Sequence, residues 1–162
     1  LYSYIYHEYV NNFMGNQICM VLFEPNSIFL RLAYSFIAGD MFTLVINENA
    51  DIMTAWCSFL KVDKEKTLKF IKRLNEWRRL RPDLLVEGRN VKPLKFKVGK
   101  TKFLHEDGTY LQFDSVLTSA FDNGDFKGQL LVNYTLEDQF IEFDEPKEVY
   151  LDYRMPKDEL LQ

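Results

Sequence analysis

Four polar side chains stand where chemistry can be done. His7 and Glu8 close an aromatic run, and Asn47 and Glu48 close an apolar one. Two carboxylates beside a sugar can act as acid and base, or as acid and nucleophile. Histidine and asparagine in such a place hold hydroxyls by hydrogen bonds. Glu8 is therefore the candidate catalytic group, and His7, Glu8, Asn47 and Glu48 are the candidate substrate-binding residues. Tyr4, Tyr6 and Tyr9 offer stacking area for a ring, although tyrosines in such a run also serve to fill a core. The four polar residues suit the first positions of solvated loops as well.

Other chemistries fit less well. A zinc protease needs His-Glu-x-x-His so that two ligands share one helical face, and Asn11 stands where the second histidine belongs. His105 sits beside an Asp-Gly turn and reads as a surface loop residue. Cys19 and Cys57 are too few and too far apart for a disulfide framework or a Cys-x-x-Cys metal site. Without a nucleophile elbow no Ser-His-Asp triad can be argued, and no glycine-rich phosphate loop occurs. Met53 and Trp56 lie in an apolar stretch and read as core. No metal and no cofactor are expected.

The totals set the frame for these residues. A chain of 162 residues, 47% hydrophobic and 27% charged, has an ordinary globular composition. Its 14 Phe, 9 Tyr and 2 Trp call for a large core or stacking surfaces. A net charge of -4 argues against nucleic acid as a partner, since phosphate binding needs clustered cations. Lys72, Arg73, Arg78, Arg79 and Arg81 do cluster, but as the solvated face of an amphipathic helix. No apolar run approaches the roughly 20 residues that span a bilayer, so no membrane partner is expected. The compartment, cytoplasmic or extracytoplasmic, stays open. Leu1 in place of an initiator Met, and a first segment without a polar lead-in, suggest the C-terminal part of a longer protein.

The elements that must position the four residues alternate. Residues 2–7 are aromatic and β-branched enough for a strand. Ile28, Phe29, Leu32, Ala33, Phe36 and Ile37 draw a helical stripe, with Asn26 as N-cap and Gly39 just past its end. Residues 41–46 are apolar on both alternating faces, as in a parallel strand covered on both sides. A second helix, capped by Asp63, turns Phe70, Ile71, Leu74 and Trp77 to the core. Strand, helix, strand, helix indicates α/β architecture with parallel strands. Two such units cannot close a barrel alone, so they are expected to be the last units of one. There the strand ends carrying His7-Glu8 and Asn47-Glu48-Asn49 would face the active site. From about residue 92, short strands alternate with turns at His105-Glu106-Asp107-Gly108 and Asn123-Gly124-Asp125, the spacing of an antiparallel β-sandwich. The expected division is residues 1–88 for the β/α units and 89–162 for the sandwich.

Ser119-Ala120-Phe121, Asp122-Asn123-Gly124 and Leu131-Val132-Asn133-Tyr134-Thr135, together with residues 2–10 and 26–46, resemble the tail of bacterial β/α-barrel glycoside hydrolases related to the α-galactosidase-like hydrolases. There the last barrel strands run into a C-terminal β-sandwich. The resemblance implies carbohydrate hydrolysis, with a carbohydrate substrate and catalytic carboxylates on earlier strands supplied by upstream sequence of the same chain. Glu8 and Glu48 then carry over as subsite residues, and the chain alone is expected to be inert. The alternatives are a binding module for carbohydrate or protein, and a barrel relative that has lost its chemistry.

Overall fold

In the computed structural model, which describes residues 2–6, 9, 22–54 and 60–144, the apolar stripe after Asn26 forms a buried helix. This helix, α2 (Ser27–Ile37), follows α1 (Tyr2–Tyr6). Ile28, Phe29, Leu32, Ala33 and Phe36 are all buried in it. Its end is closed by a Schellman pattern: the Gly39 N–H donates to Phe36 O at 3.0 Å and the Asp40 N–H to Ser35 O at 2.8 Å. The reversal needs a left-handed residue, and Gly39 supplies it with φ 76°. Asn26 occupies the N-cap position, yet its side chain makes no capping hydrogen bond.

After α2 the chain makes a short meander, with β1 (Val45–Ile46) pairing antiparallel with β2 (Ile52–Met53). A third pass continues the meander, since the Val62 N–H donates to Ile52 O at 3.0 Å. Helix α3 (Lys64–Leu80) then starts at Asp63, whose carboxylate accepts from the Lys66 N–H at 3.0 Å, as the capping argument requires. Phe70 and Leu74 are buried, and Ile71 and Trp77 pack partly buried against the core. Phe29 and Phe70 meet edge to face at 5.3 Å, joining α2 to α3. Three of the cations on and just past α3 are engaged internally: Arg73 pairs with Glu76 at 2.8 Å and Arg81 with Asp83 at 2.7 Å. Arg78 donates to Asp40 O at 2.7 Å with its guanidinium near the faces of Phe36 and Phe42.

A short helix α4 (Pro82–Leu85) leads into the strands: β3 (Arg89–Val91), β4 (Phe96–Lys97), β5 (Lys100–Leu104), β6 (Tyr110–Asp114), β7 (Val116–Asp122), β8 (Lys127–Asn133) and β9 (Glu142–Phe143). They form a sheet of order β3-β7-β8 and the pairs β4-β9 and β5-β6. The β7–β8 hairpin runs in register from Val116 opposite Asn133 to Asp122 opposite Lys127. Both turns expected from the sequence are present. Asn123 Oδ1 accepts from the Asp125 and Phe126 N–H groups at 3.1 and 2.8 Å. The Gly108 N–H donates to His105 O at 2.9 Å. The connector after β3 is held to the sheet by Gln129, whose amide accepts from the Leu94 N–H at 2.8 Å and donates to Leu94 O at 3.1 Å.

The fold is a mixed α/β arrangement with antiparallel sheets. Two expectations are corrected. Residues 2–6 form a helix, not a strand. Aromatic and β-branched residues prefer a strand only where a pleated neighbour receives them, and α1 instead packs beside β3 as a helix. Residues 41–46 do not form a parallel strand covered on both faces: only Val45 and Ile46 are extended, Ile46 is 60% exposed, and the partner strand is antiparallel. Every pairing among the described residues is antiparallel, so the parallel barrel units expected over residues 1–88 do not appear there. Buried side chains from both sides of residue 88, among them Phe29, Phe70 and Leu85 with Phe103, Leu117 and Phe121, form one continuous cluster. Among the described residues, no helix is long and apolar enough to cross a membrane.

Candidate functional site

Two of the four candidates from the sequence, His7 and Glu8, lie outside the described residues, as do Cys19, Trp56 and Cys57. Asn47 and Glu48 stand together on the turn between β1 and β2. The Asn47 side chain builds that turn, with Oδ1 accepting from the Asn49 N–H at 3.0 Å and from the Asp51 N–H at 2.9 Å. Ala50, at φ 59°, completes the reversal. Asp51 is held below the ordinary carboxylate range, chiefly by its hydrogen bond to Lys61, with the Asn47 side chain adding to the effect. Glu48 is exposed. The chain reverses at Asn47 because its side chain replaces backbone partners. The polar cluster therefore caps a hairpin instead of leading a strand into a helix.

A different set of residues surrounds a hollow of about 270 Å3 beside the entry to α2. Its floor is aromatic, with the buried rings of Phe103 on β5 and Tyr134 after β8 lying 6.2 Å apart and 27° from parallel. Phe113 on β6 meets Phe103 edge-on and fixes the floor from the side.

Three segments raise the walls. The first is the approach to α2, which lies along β5: the Phe23 N–H donates to Leu104 O at 2.9 Å, and Glu24 Oε1 accepts from the Leu104 N–H at 3.1 Å. This places Glu24 and Asn26 on the rim. The second is the β5–β6 hairpin, whose Thr101 hydroxyl meets that of Ser115, just past β6, at 2.9 Å. The third is the loop after β8. Asn133 Oδ1 accepts from the Thr135 N–H and hydroxyl at 2.9 and 2.8 Å, and its Nδ2 donates to Glu137 O at 2.6 Å. Gln139 closes the loop by donating to the Thr135 hydroxyl at 3.1 Å.

Gly99 borders the hollow without a side chain. A Cβ built there would reach 3.5 Å from Gln139 Oε1 and 3.8 Å from Ser115 Oγ, which is ordinary contact. The lining therefore mixes hydroxyls, amides and carboxylates, more polar than apolar, over two buried aromatic rings. Lys100 also borders the hollow, but its ammonium pairs with Asp114 at 3.2 Å. A second, more open hollow of about 310 Å3 lies between α1 and β3, lined by Tyr4, Ile5 and Arg89 to Val91.

The carboxyls displaced from their ordinary range sit on turns or at element ends, Asp83 in the first turn of α4 and Asp122 at the end of β7, and none lines the recess. Asp83 is lowered chiefly by its hydrogen bond with Arg81, and Asp122 by the Gly124 N–H and then by Lys127. Asp107 is pulled down to about 2 by the hydroxyl and N–H of Thr109 and then by His105. Among the described residues, no group of three or more His, Cys, Asp and Glu gathers closely enough to hold a metal ion.

Reasoning from the sequence missed the recess because its parts are remote, at residues 24–26, 99–103, 115 and 134–139. One trace was visible: Asn133-Tyr134-Thr135, noticed as part of a family pattern, turns out to build one wall and part of the floor. Comparison of the chain with family models, with curated proteins and with solved structures gave no match.

Proposed function

We propose that this chain is part of a carbohydrate-active protein of the glycoside-hydrolase type, and that its described portion binds sugar and supports the catalytic part. The observation that carries this reading is the chemistry of the recess, with hydroxyl, amide and carboxylate groups standing around an aromatic floor. Sugars present the matching surface, a ring of hydroxyls that both donate and accept. The hydrolase part of the reading rests on the resemblance of the β7–β8 region. Its three motifs make one hairpin: Phe121 is fully buried, Asn123 and Gly124 turn the chain, and Asn133 starts the recess wall.

In this reading the antiparallel strands belong to a β-sandwich beside a β/α barrel. The barrel and its catalytic carboxylates are carried by other sequence of the same protein.

Saturation-transfer NMR with a panel of neutral mono- and disaccharides tests the binding part, and release of nitrophenol from aryl glycosides by the full-length protein tests the hydrolytic part. Saturation transfer to at least one sugar, and turnover by the longer protein, are expected. Binding without turnover would leave a carbohydrate-binding module. Transfer to no saccharide would overturn the reading.

A further inference from the structure

Resting on the carbohydrate reading, we propose that the recess over Phe103 and Tyr134 accepts a single uncharged sugar ring, and that Gly99 sets this limit. Size is the first argument. About 270 Å3 lies at the lower edge of the roughly 300–1,000 Å3 usual for small-molecule sites, room for one ring and not for a chain of them. Gly99 borders this space without a side chain, and its φ lies outside the left-handed region. Its backbone therefore tolerates other residues. A long side chain there would enter the hollow between Gln139 and Ser115 without straining the main chain.

The hydrogen-bonding capacity left on the rim gives the second argument. Asn26 stands at the N-cap position, where an asparagine normally bonds to the helix, yet its amide makes no such bond. Glu24 uses Oε1 on the Leu104 N–H, and its other oxygen makes no hydrogen bond within the described protein. An amide that donates and accepts, beside a carboxylate oxygen that accepts, suits two neighbouring hydroxyls on one ring.

Charge is the third argument. Glu24 and Glu137 border the recess, whereas the ammonium of Lys100 is paired with Asp114. A uronic acid would bring its carboxylate toward two others with no unpaired cation among the described residues lining the recess, so a neutral ring is favoured.

The test titrates the full chain with a methyl hexopyranoside, the matching uronic acid and neutral oligosaccharides of rising length. Wild type is compared with Gly99→Leu and Asn26→Ala, and each variant's fold is checked by its melting curve. The expected results are binding of the hexopyranoside, about tenfold weaker binding of the uronate, and no gain in affinity beyond one ring. Gly99→Leu should weaken binding at least about tenfold. Asn26→Ala, with an unchanged melt, should weaken it several-fold and provides the readout if the leucine variant fails to fold. Affinity that climbs with chain length, a uronate that binds as well as the neutral ring, or binding indifferent to both substitutions would overturn the inference while leaving the carbohydrate reading standing. Failure of every saccharide to bind would remove both.

Discussion

Two asparagines at the ends of elements, Asn47 and Asn26, look alike in the sequence and have opposite fates in the structure. Asn47 is committed through its Oδ1, which accepts two backbone N–H groups so that the chain can reverse between β1 and β2. Asn26 stands where a capping residue belongs and makes no capping bond, with its amide on the rim of an aromatic-floored recess. A polar residue at an element end is a candidate for function only after its local hydrogen bonds are counted. The comparison separates residues that hold the fold from residues that remain available to a ligand.

The sharpest break would come from the packed side of this divide. Phe121 is fully buried at the centre of the cluster shared by helices and strands. Phe121→Ala should cost about 3–5 kcal/mol, read as a fall in the denaturant midpoint, and a loss below about 1 kcal/mol would mean that the two halves do not share a core. Asn47→Ala should cost roughly 0.5–2 kcal/mol, since two backbone donors lose their partner. Asn26→Ala should leave stability within about 0.5 kcal/mol, even though it occupies the cap position. If the two alanine variants melted alike, the distinction between them would fail.

Acid sharpens the comparison from another side. Asp51, Asp83, Asp107 and Asp122 all titrate below their ordinary range, each held down by turn or ion-pair partners. A carboxyl with a lower pKa in the folded state stabilises fully above its unfolded value of about 3.9, and that stabilisation is lost as pH falls through the folded value. Melting temperature should therefore hold steady down to about pH 4 and decline toward about pH 2, where Asp107 itself titrates. Asp107→Asn should flatten the lower end of that decline. A melting temperature constant from pH 5 to pH 2 would show that these turns contribute nothing.

Local features were legible in the sequence. The stripes of α2 and α3, the Asp63 cap, the Gly39 reversal and both β turns follow from spacing and residue type over a few positions, and each occurs as expected. Strand direction was not legible. The run at residues 41–46 has the composition of a buried parallel strand, but whether it passes into a helix or folds back is decided by how Asn47 uses its side chain. Composition misled at residues 2–6 as well, because tyrosine and isoleucine form a strand only if another strand receives them. The recess was the least legible feature, since it brings together residues more than a hundred positions apart, none unusual alone.

Arg78 carries a consequence of its own. Its guanidinium is desolvated, which lowers its pKa, but from a starting value so high that it stays charged at any ordinary pH. Around it stand a backbone carbonyl, the Met41 sulfur and two phenyl faces, none of which takes up a proton in acid, and the charge of the Asp40 carboxylate, which acid removes. The fastening between α3 and the end of α2 thus keeps its carbonyl and aromatic contacts in acid and loses only the attraction of Asp40. Low pH should therefore weaken this fastening without abolishing it.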